Sequence, residues 1–244
     1  MFYPLSVLNK SVKRMVFEPD CTMIVADRGT GKSTLLALIF EAYRKAGFKC
    51  LCNYPYKDCY KIPFTRVVRG KTTKLVVDKD WLYSYDFKDC VIAIDEAKTV
   101  WPARNWQNWD ESDSEFFNFI RKNNIRLFIV TQSYDEIDLN VRRACDENWF
   151  LIKERHFNLT TIERSKQTQA KVGDKTKELQ GKLYKKGAQK INWEIVEIPL
   201  GTYKFYRKPY YGDFVTNLTM TNKPAPPDLI SWNNSPAFQI QQQE

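Results

Sequence analysis

"IVADRGTGKST", residues 24–34, decides the fold of this 244-residue chain. An apolar pair runs into a short glycine-bearing loop, and from Lys32 the stretch "KSTLLALIFEAYRKAG" carries apolar residues at helical spacing as far as Gly47. Strand, loop and helix in that order are the setting a phosphate-binding loop requires. The pattern G-x-x-x-x-G-K-[ST] is met, except that Ala26 stands where the first glycine belongs. Gly31 is the glycine that cannot easily be spared, because a Cβ there would crowd the tight turn and the phosphate. Ala26 sits at the mouth of the loop and adds only a methyl, so binding is expected to survive. The cradle then comprises Ala26, Asp27, Arg28, Gly29, Thr30, Gly31, Lys32, Ser33 and Thr34. Backbone N–H groups of residues 27–33 would wrap a β-phosphate with the positive end of the following helix behind it. Lys32 would reach the β- and γ-phosphates and Ser33 would ligate Mg²⁺, so ATP and Mg are the expected cofactors.

A second element is "CVIAIDE", residues 90–96, an apolar strand ending in Asp95 and Glu96. Alternation along a strand would send the two carboxylates to opposite sides. Asp95 could then hold Mg²⁺ while Glu96 faces the attacking water as general base. A third is "IRLFIVTQ", residues 125–132, whose end places Thr131 and Gln132 where a sheet strand emerges. Gln132 there would sense the γ-phosphate or orient water; an ordinary strand cap is the alternative. Arg104, Arg121, Arg142 and Arg143 are candidates for an arginine supplied to a neighbouring subunit's site, and Arg142 is taken with Glu96, Lys32 and Gln132 as the catalytic set.

Strand signals at 15–25, 48–55, 64–70, 73–78, 90–96 and 125–132 alternate with helical patterns, among them one around 112–123. The expected fold is an α/β phosphate-loop NTPase with a mainly parallel sheet covered by helices on both faces. A basic β or helical appendage should follow. Residues 161–190 hold nine Lys or Arg against three Asp or Glu, with few large apolar residues. They read either as a solvated hairpin or helix pair, or as an element that faces DNA phosphates. The expected division is a core at 1–160, the basic insertion at 161–190, closing strands at 191–222 and an extended or disordered tail at 223–244.

The net charge of +9 favours a polyanion or an anionic membrane surface as partner. Cysteines at 21, 50, 52, 59, 90 and 145 are scattered and lie partly in apolar runs, which suits structural thiols in a reducing compartment. Cys50, Cys52 and Cys59 contain no C-x-x-C pair, and the single histidine, His156, is distant in sequence, so a zinc site is not expected. The first residues lack the order of a signal peptide, and no apolar run approaches membrane-spanning length; the expected location is the cytoplasm.

Residues 91–144 resemble the ATPase domain of the zonula occludens toxin-like proteins, the filamentous phage assembly and export family within the wider HerA/FtsK ATPases. The matching residues are Asp95 and Glu96, then Trp101, Arg104 and Trp106 in "WPARNW", and the run "RKNNIRLFIVTQSYDEIDLNVRRA" with Arg121, Lys122, Gln132, Asp138, Arg142 and Ala144. "YYGDF", residues 210–214, is similar to a tyrosine-containing element closing that family's ATPase domain. The resemblance implies an oligomeric, ring-forming ATPase that acts on phage DNA, expected to be single-stranded, together with coat or export proteins. Family members continue into a membrane-spanning helix, so membrane association is expected through a partner or a span beyond Glu244, at the inner face of the host membrane. A soluble DNA-packaging translocase, or an ATP-gated interaction protein that moves no DNA, are the alternative readings. Trp101, Trp106 and Trp109 either stack on bases or, as the favoured reading, lock the loop after Glu96 against the core.

Overall fold

The computed structural model describes residues 5–69, 72–103, 109, 111–172 and 192–214; Arg104, Trp106, most of the lysine-rich stretch and the whole tail lie outside them. The chain begins with a helix, α1 (Leu5–Met15), in which Asn9, Val12 and Met15 recur at three-residue spacing and form a buried face. The expected strand over 15–25 is therefore shorter: Pro19 cannot continue a helix or supply a ladder N–H, and β1 occupies only Cys21–Val25. After β1 come α2 (Lys32–Lys45), β2 (Lys49–Cys52), β3 (Tyr60–Lys61), β4 (Phe64–Arg69), β5 (Thr72–Val77) and α3 (Lys79–Tyr83). Then follow β6 (Cys90–Ile94), α4 (Glu111–Lys122), β7 (Ile125–Thr131), α5 (Leu139–Ala144), β8 (Glu147–Lys153), β9 (Leu159–Val172) and β10 (Asn192–Tyr206).

An eight-stranded sheet runs in the order β10-β9-β8-β1-β7-β6-β2-β3, with β4 and β5 forming a separate antiparallel pair. From β8 to β3 the neighbours are parallel, and β9 and β10 add to the β8 edge antiparallel. Strands β1 and β6 are buried along their whole length, because helices cover both faces. Val12 and Met15 of α1 and Leu35, Leu38, Ile39 and Tyr43 of α2 pack on one face with Phe128 and Trp149. Leu82 of α3, Phe116 and Ile120 of α4 and Val141 of α5 pack on the other with Met23, Ile92 and Leu127. This is the α/β phosphate-loop architecture expected from the strand and helix alternation. All six cysteines are buried thiols; Cys21 and Cys145 bring their sulfurs to 3.6 Å where β1 begins and α5 ends.

The first part of the basic stretch is built into this sheet. Arg164 on β9 is 5% exposed and forks onto Glu147 of β8, with Nε 2.9 Å from Oε2 and Nη2 2.6 Å from Oε1. The Trp149 indole also donates to Glu147, and Glu18 accepts from Arg164 at 2.6 Å. Arg164 therefore neutralises the buried Glu147 carboxylate and is not a surface cation for a nucleic acid. Arg164→Ala should cost about 3–5 kcal/mol of stability by stranding the Glu147 charge. Denaturant unfolding checks this, and a loss below about 1 kcal/mol would mean that Glu147 finds another partner. On the outer edge, β10 carries a register irregularity between Pro199 and Gly201, a device that discourages pairing with another chain.

Candidate active site

Four segments meet where β1, β7, β6 and β2 end, the crevice in which open α/β sheets bind ligands. The loop after β1 turns through left-handed glycines at Gly29 (φ 73) and Gly31 (φ 111). Ala26 is not among the left-handed residues; its N–H donates to the Thr131 carbonyl at 3.1 Å and it is 4% exposed. Its methyl is thus accommodated in the core without backbone strain, which is why the departure from the glycine pattern leaves the loop intact.

Gly31 is constrained by something other than the phosphate alone. A Cβ there would lie 2.8 Å from Cδ of Arg207, 2.9 Å from Oγ1 of Thr160 and 3.1 Å from Oγ1 of Thr34. Thr160 opens β9 and donates to the Thr30 carbonyl at 2.6 Å, while Arg207, just past β10, reaches the Gly29 carbonyl at 3.5 Å. Neither residue stands out in the sequence, because contacts across 130 and 178 positions leave no local pattern. Gly31→Ala should combine left-handed strain with these clashes and lower stability by about 2 kcal/mol or more, together with nucleotide affinity. Thermal unfolding with and without ATP measures both losses.

Lys32 turns its ammonium back over the loop, donating to the carbonyls of Ala26 at 2.8 Å and Asp27 at 3.1 Å. Burial pulls its pKa below the ordinary lysine value, and the nearby Asp95 and Glu96 charges oppose that pull. Ser33 lies half-buried in the first turn of α2, and Thr34 donates to the Gly31 carbonyl at 2.7 Å.

Strand β6 ends at Ile94, one residue before Asp95, so strand alternation does not set the directions of the carboxylates. Glu96 instead leaves the strand in a left-handed turn at φ 53. Asn53, just after β2, clamps the Asp95 backbone from both sides: its Nδ2 donates to the Asp95 carbonyl at 2.8 Å and its Oδ1 accepts from the Asp95 N–H at 2.7 Å. The Asp95 side chain accepts from the Glu96 N–H at 2.9 Å. Asp95 is 7% exposed, and burial raises its carboxyl to about 6 despite that hydrogen bond and the Lys32 charge. The buried Asp95 carboxylate and the Ser33 hydroxyl are hard oxygen donors, the chemistry that fits a Mg²⁺ ion keeping several of its waters.

Gln132 joins three segments. Its Nε2 donates to Oε1 of Glu96 at 2.6 Å, and its Oε1 accepts from Arg28 Nε at 3.4 Å. Glycine loop, β7 and β6 are thereby linked at the mouth of the site. The catalytic set read from sequence separates at this point: Lys32, Glu96 and Gln132 come together, whereas Arg142 lies on α5 over the Tyr134 ring, 4.8 Å from its centroid and 3.3 Å from Asp135. Arg143 beside it is exposed. Arg121 is engaged by Asp20 and Asp146, which precede β1 and β8 at the opposite edge of the sheet.

Of Trp101, Trp106 and Trp109 after Glu96, the two among the described residues pack. Trp101 is 3% exposed and donates to Asp113 Oδ1 at 3.0 Å, in a cluster with Tyr83 and Lys79. Trp109 stacks on Phe117 at 5.7 Å and donates to Ser114. Both lock the segment after the acidic pair against α4. Among the described residues, no helix is long and apolar enough to cross a membrane.

Solved structures similar to the chain include the following two. One is the N-terminal domain of zonular occludens toxin from Neisseria meningitidis, 16% identical, covering 79% of this chain and 97% of that one at a TM-score of 0.46. The other is the genome packaging NTPase B204 from Sulfolobus turreted icosahedral virus 2 in complex with ATP-gammaS, 15% identical, covering 56% and 77% at 0.41. No curated protein matches the sequence. The family model for zonular occludens toxin (Zot) matches residues 54–210, more than half of the chain and the whole span from β2's end to Tyr210, and the chain belongs to that family.

Proposed function

We propose that the chain is a Mg²⁺-dependent ATPase that serves filamentous-phage-type virion assembly and DNA export. The observation that carries the ATPase reading is the link of Arg28, Gln132 and Glu96 across a glycine loop that presents Lys32. A general base, a polar group able to hold water and a phosphate-binding lysine thus converge on one crevice.

In this reading the ATP phosphates lie on the N–H groups of residues 27–33, and Lys32 exchanges the carbonyls of Ala26 and Asp27 for phosphate oxygens. Ser33 and Asp95 would hold Mg²⁺, which would supply positive charge to offset that of the phosphates. Glu96 takes a proton from the water that attacks the γ-phosphorus as its bond to the β–γ bridging oxygen breaks and ADP leaves, and Gln132, bonded to Glu96, positions that water and senses the phosphate. Arg142, or its exposed neighbour Arg143, supplies positive charge to the next subunit's site in a ring. The family membership and the resemblance over 91–144 support the role in assembly, with single-stranded phage DNA and coat or export proteins as partners in the host cytoplasm at the membrane's inner face.

Steady-state hydrolysis with and without single-stranded DNA tests the proposal. Turnover that rises with DNA is the expected result. Turnover indifferent to DNA would remove the motor role and leave an ATP-gated assembly factor; no turnover with any nucleotide would remove the enzyme.

A further inference from the structure

The phosphates, metal and water have assigned partners, but the nucleoside half of ATP does not. Its direction follows from the sheet order. The γ-phosphate must face Glu96 and Gln132, which follow β6 and β7 on one flank of β1, whereas β8 lies on the other flank. Because β8 runs parallel to β1, the turn at its end emerges at the same edge as the glycine loop. A nucleotide stretched across that loop therefore carries its base toward the β8–β9 turn, residues 154–158.

That turn closes as a hairpin does, yet its backbone and side chains carry features that a plain connection does not need. It closes with the Glu154 N–H on the Leu159 carbonyl at 3.1 Å, and two successive residues are left-handed, Phe157 (φ 62) and Asn158 (φ 50). Asparagine accepts that conformation readily and a bulky aromatic does not. Phe157 is nevertheless 73% exposed, so core packing does not hold it there, and the His156 ring stands edge-on to it at 6.3 Å. Beside it opens a hollow of about 570 Å³ among Arg155, His156, Phe157, Leu159 and Lys204. The turn is also fastened to the nucleotide loop. Arg207, 7% exposed, donates from Nε to the Asn158 carbonyl at 3.3 Å and from Nη1 to the Gly29 carbonyl at 3.5 Å.

We propose that the β8–β9 turn is the nucleoside seat, in which Phe157 stacks on the base and Arg207 holds the turn in register with the glycine loop. This rests on the ATPase reading above. The backbone strain at Phe157 is then the consequence of aiming an aromatic ring at a ligand instead of at the core.

Calorimetric titration of ATP and of inorganic tripolyphosphate, each with Mg²⁺, tests the seat on the wild type, Phe157→Asn and Phe157→Tyr. The wild type should bind ATP more tightly than tripolyphosphate. Phe157→Asn should lose about tenfold in ATP affinity, the scale of one base–aromatic stack, with tripolyphosphate unchanged. Its melting temperature should be equal or higher, because asparagine relieves the left-handed strain. Phe157→Tyr should bind like the wild type. Equal wild-type affinity for the two probes, an equal loss on both in Phe157→Asn, no loss on either, or a lower melting temperature for that variant would each overturn the seat, while tripolyphosphate binding would still uphold the glycine loop. Binding of neither probe by the wild type would overturn both readings.

Discussion

Lys32→Ala should reduce ATP affinity about 100-fold, the scale of losing hydrogen bonds to a charged group at roughly 2–3 kcal/mol. The ammonium is the one lysine charge delivered by the loop itself, and it is held close by two carbonyls of that loop, at Ala26 and Asp27. Phosphate oxygens offer it stronger acceptors than those neutral carbonyls do. The fold should barely notice the change, since Asp27 is exposed and its carbonyl can turn to water. Calorimetric titration with ATP, beside a thermal melt, separates the two effects. An affinity within twofold of the wild type would show that phosphates do not reach Lys32.

Glu96→Gln is expected to leave ATP binding within about twofold of the wild type and to lower kcat by roughly 10²–10⁴-fold, the usual contribution of a positioned base. The amide preserves the size of the side chain, and its oxygen can still accept from Gln132 Nε2, so the geometry of the crevice survives. It cannot take the proton from water. Single-turnover hydrolysis with saturating ATP gives the rate, and turnover at the wild-type rate would move the base to another residue.

Much of this arrangement could be read from the chain because its signals are local. The glycine loop, the apolar run of β6 and that of β7 each announce themselves within a dozen residues, and a fully buried parallel strand leaves little freedom in composition. Helix α1 was not legible as a helix, since "LSVLNKSVKRM" is polar overall and buries only a narrow face. The direction of Glu96 is not legible from strand alternation, because it depends on one left-handed residue beyond the strand end. Residues 161–172 looked like surface because long charged side chains dominate them, yet Ile162 and Arg164 alternate inward and sit at 0% and 5% exposure. Thr160, Arg207 and Asn53 escaped notice for a different reason. Their partners are distant in sequence, and a threonine, an arginine or an asparagine carries no pattern that names its partner.

The fastening of the glycine loop by Thr160 and Arg207 has a temporal meaning. The loop leaves the ribosome early, but its carbonyls at Thr30 and Gly29 wait for residues 130 and 178 positions later. Closing such long intervals is slow relative to forming α2. The nascent chain therefore carries a complete phosphate-loop sequence well before it carries a locked one. The lock on the loop is thus a late event of synthesis, coincident with the docking of β9 and β10.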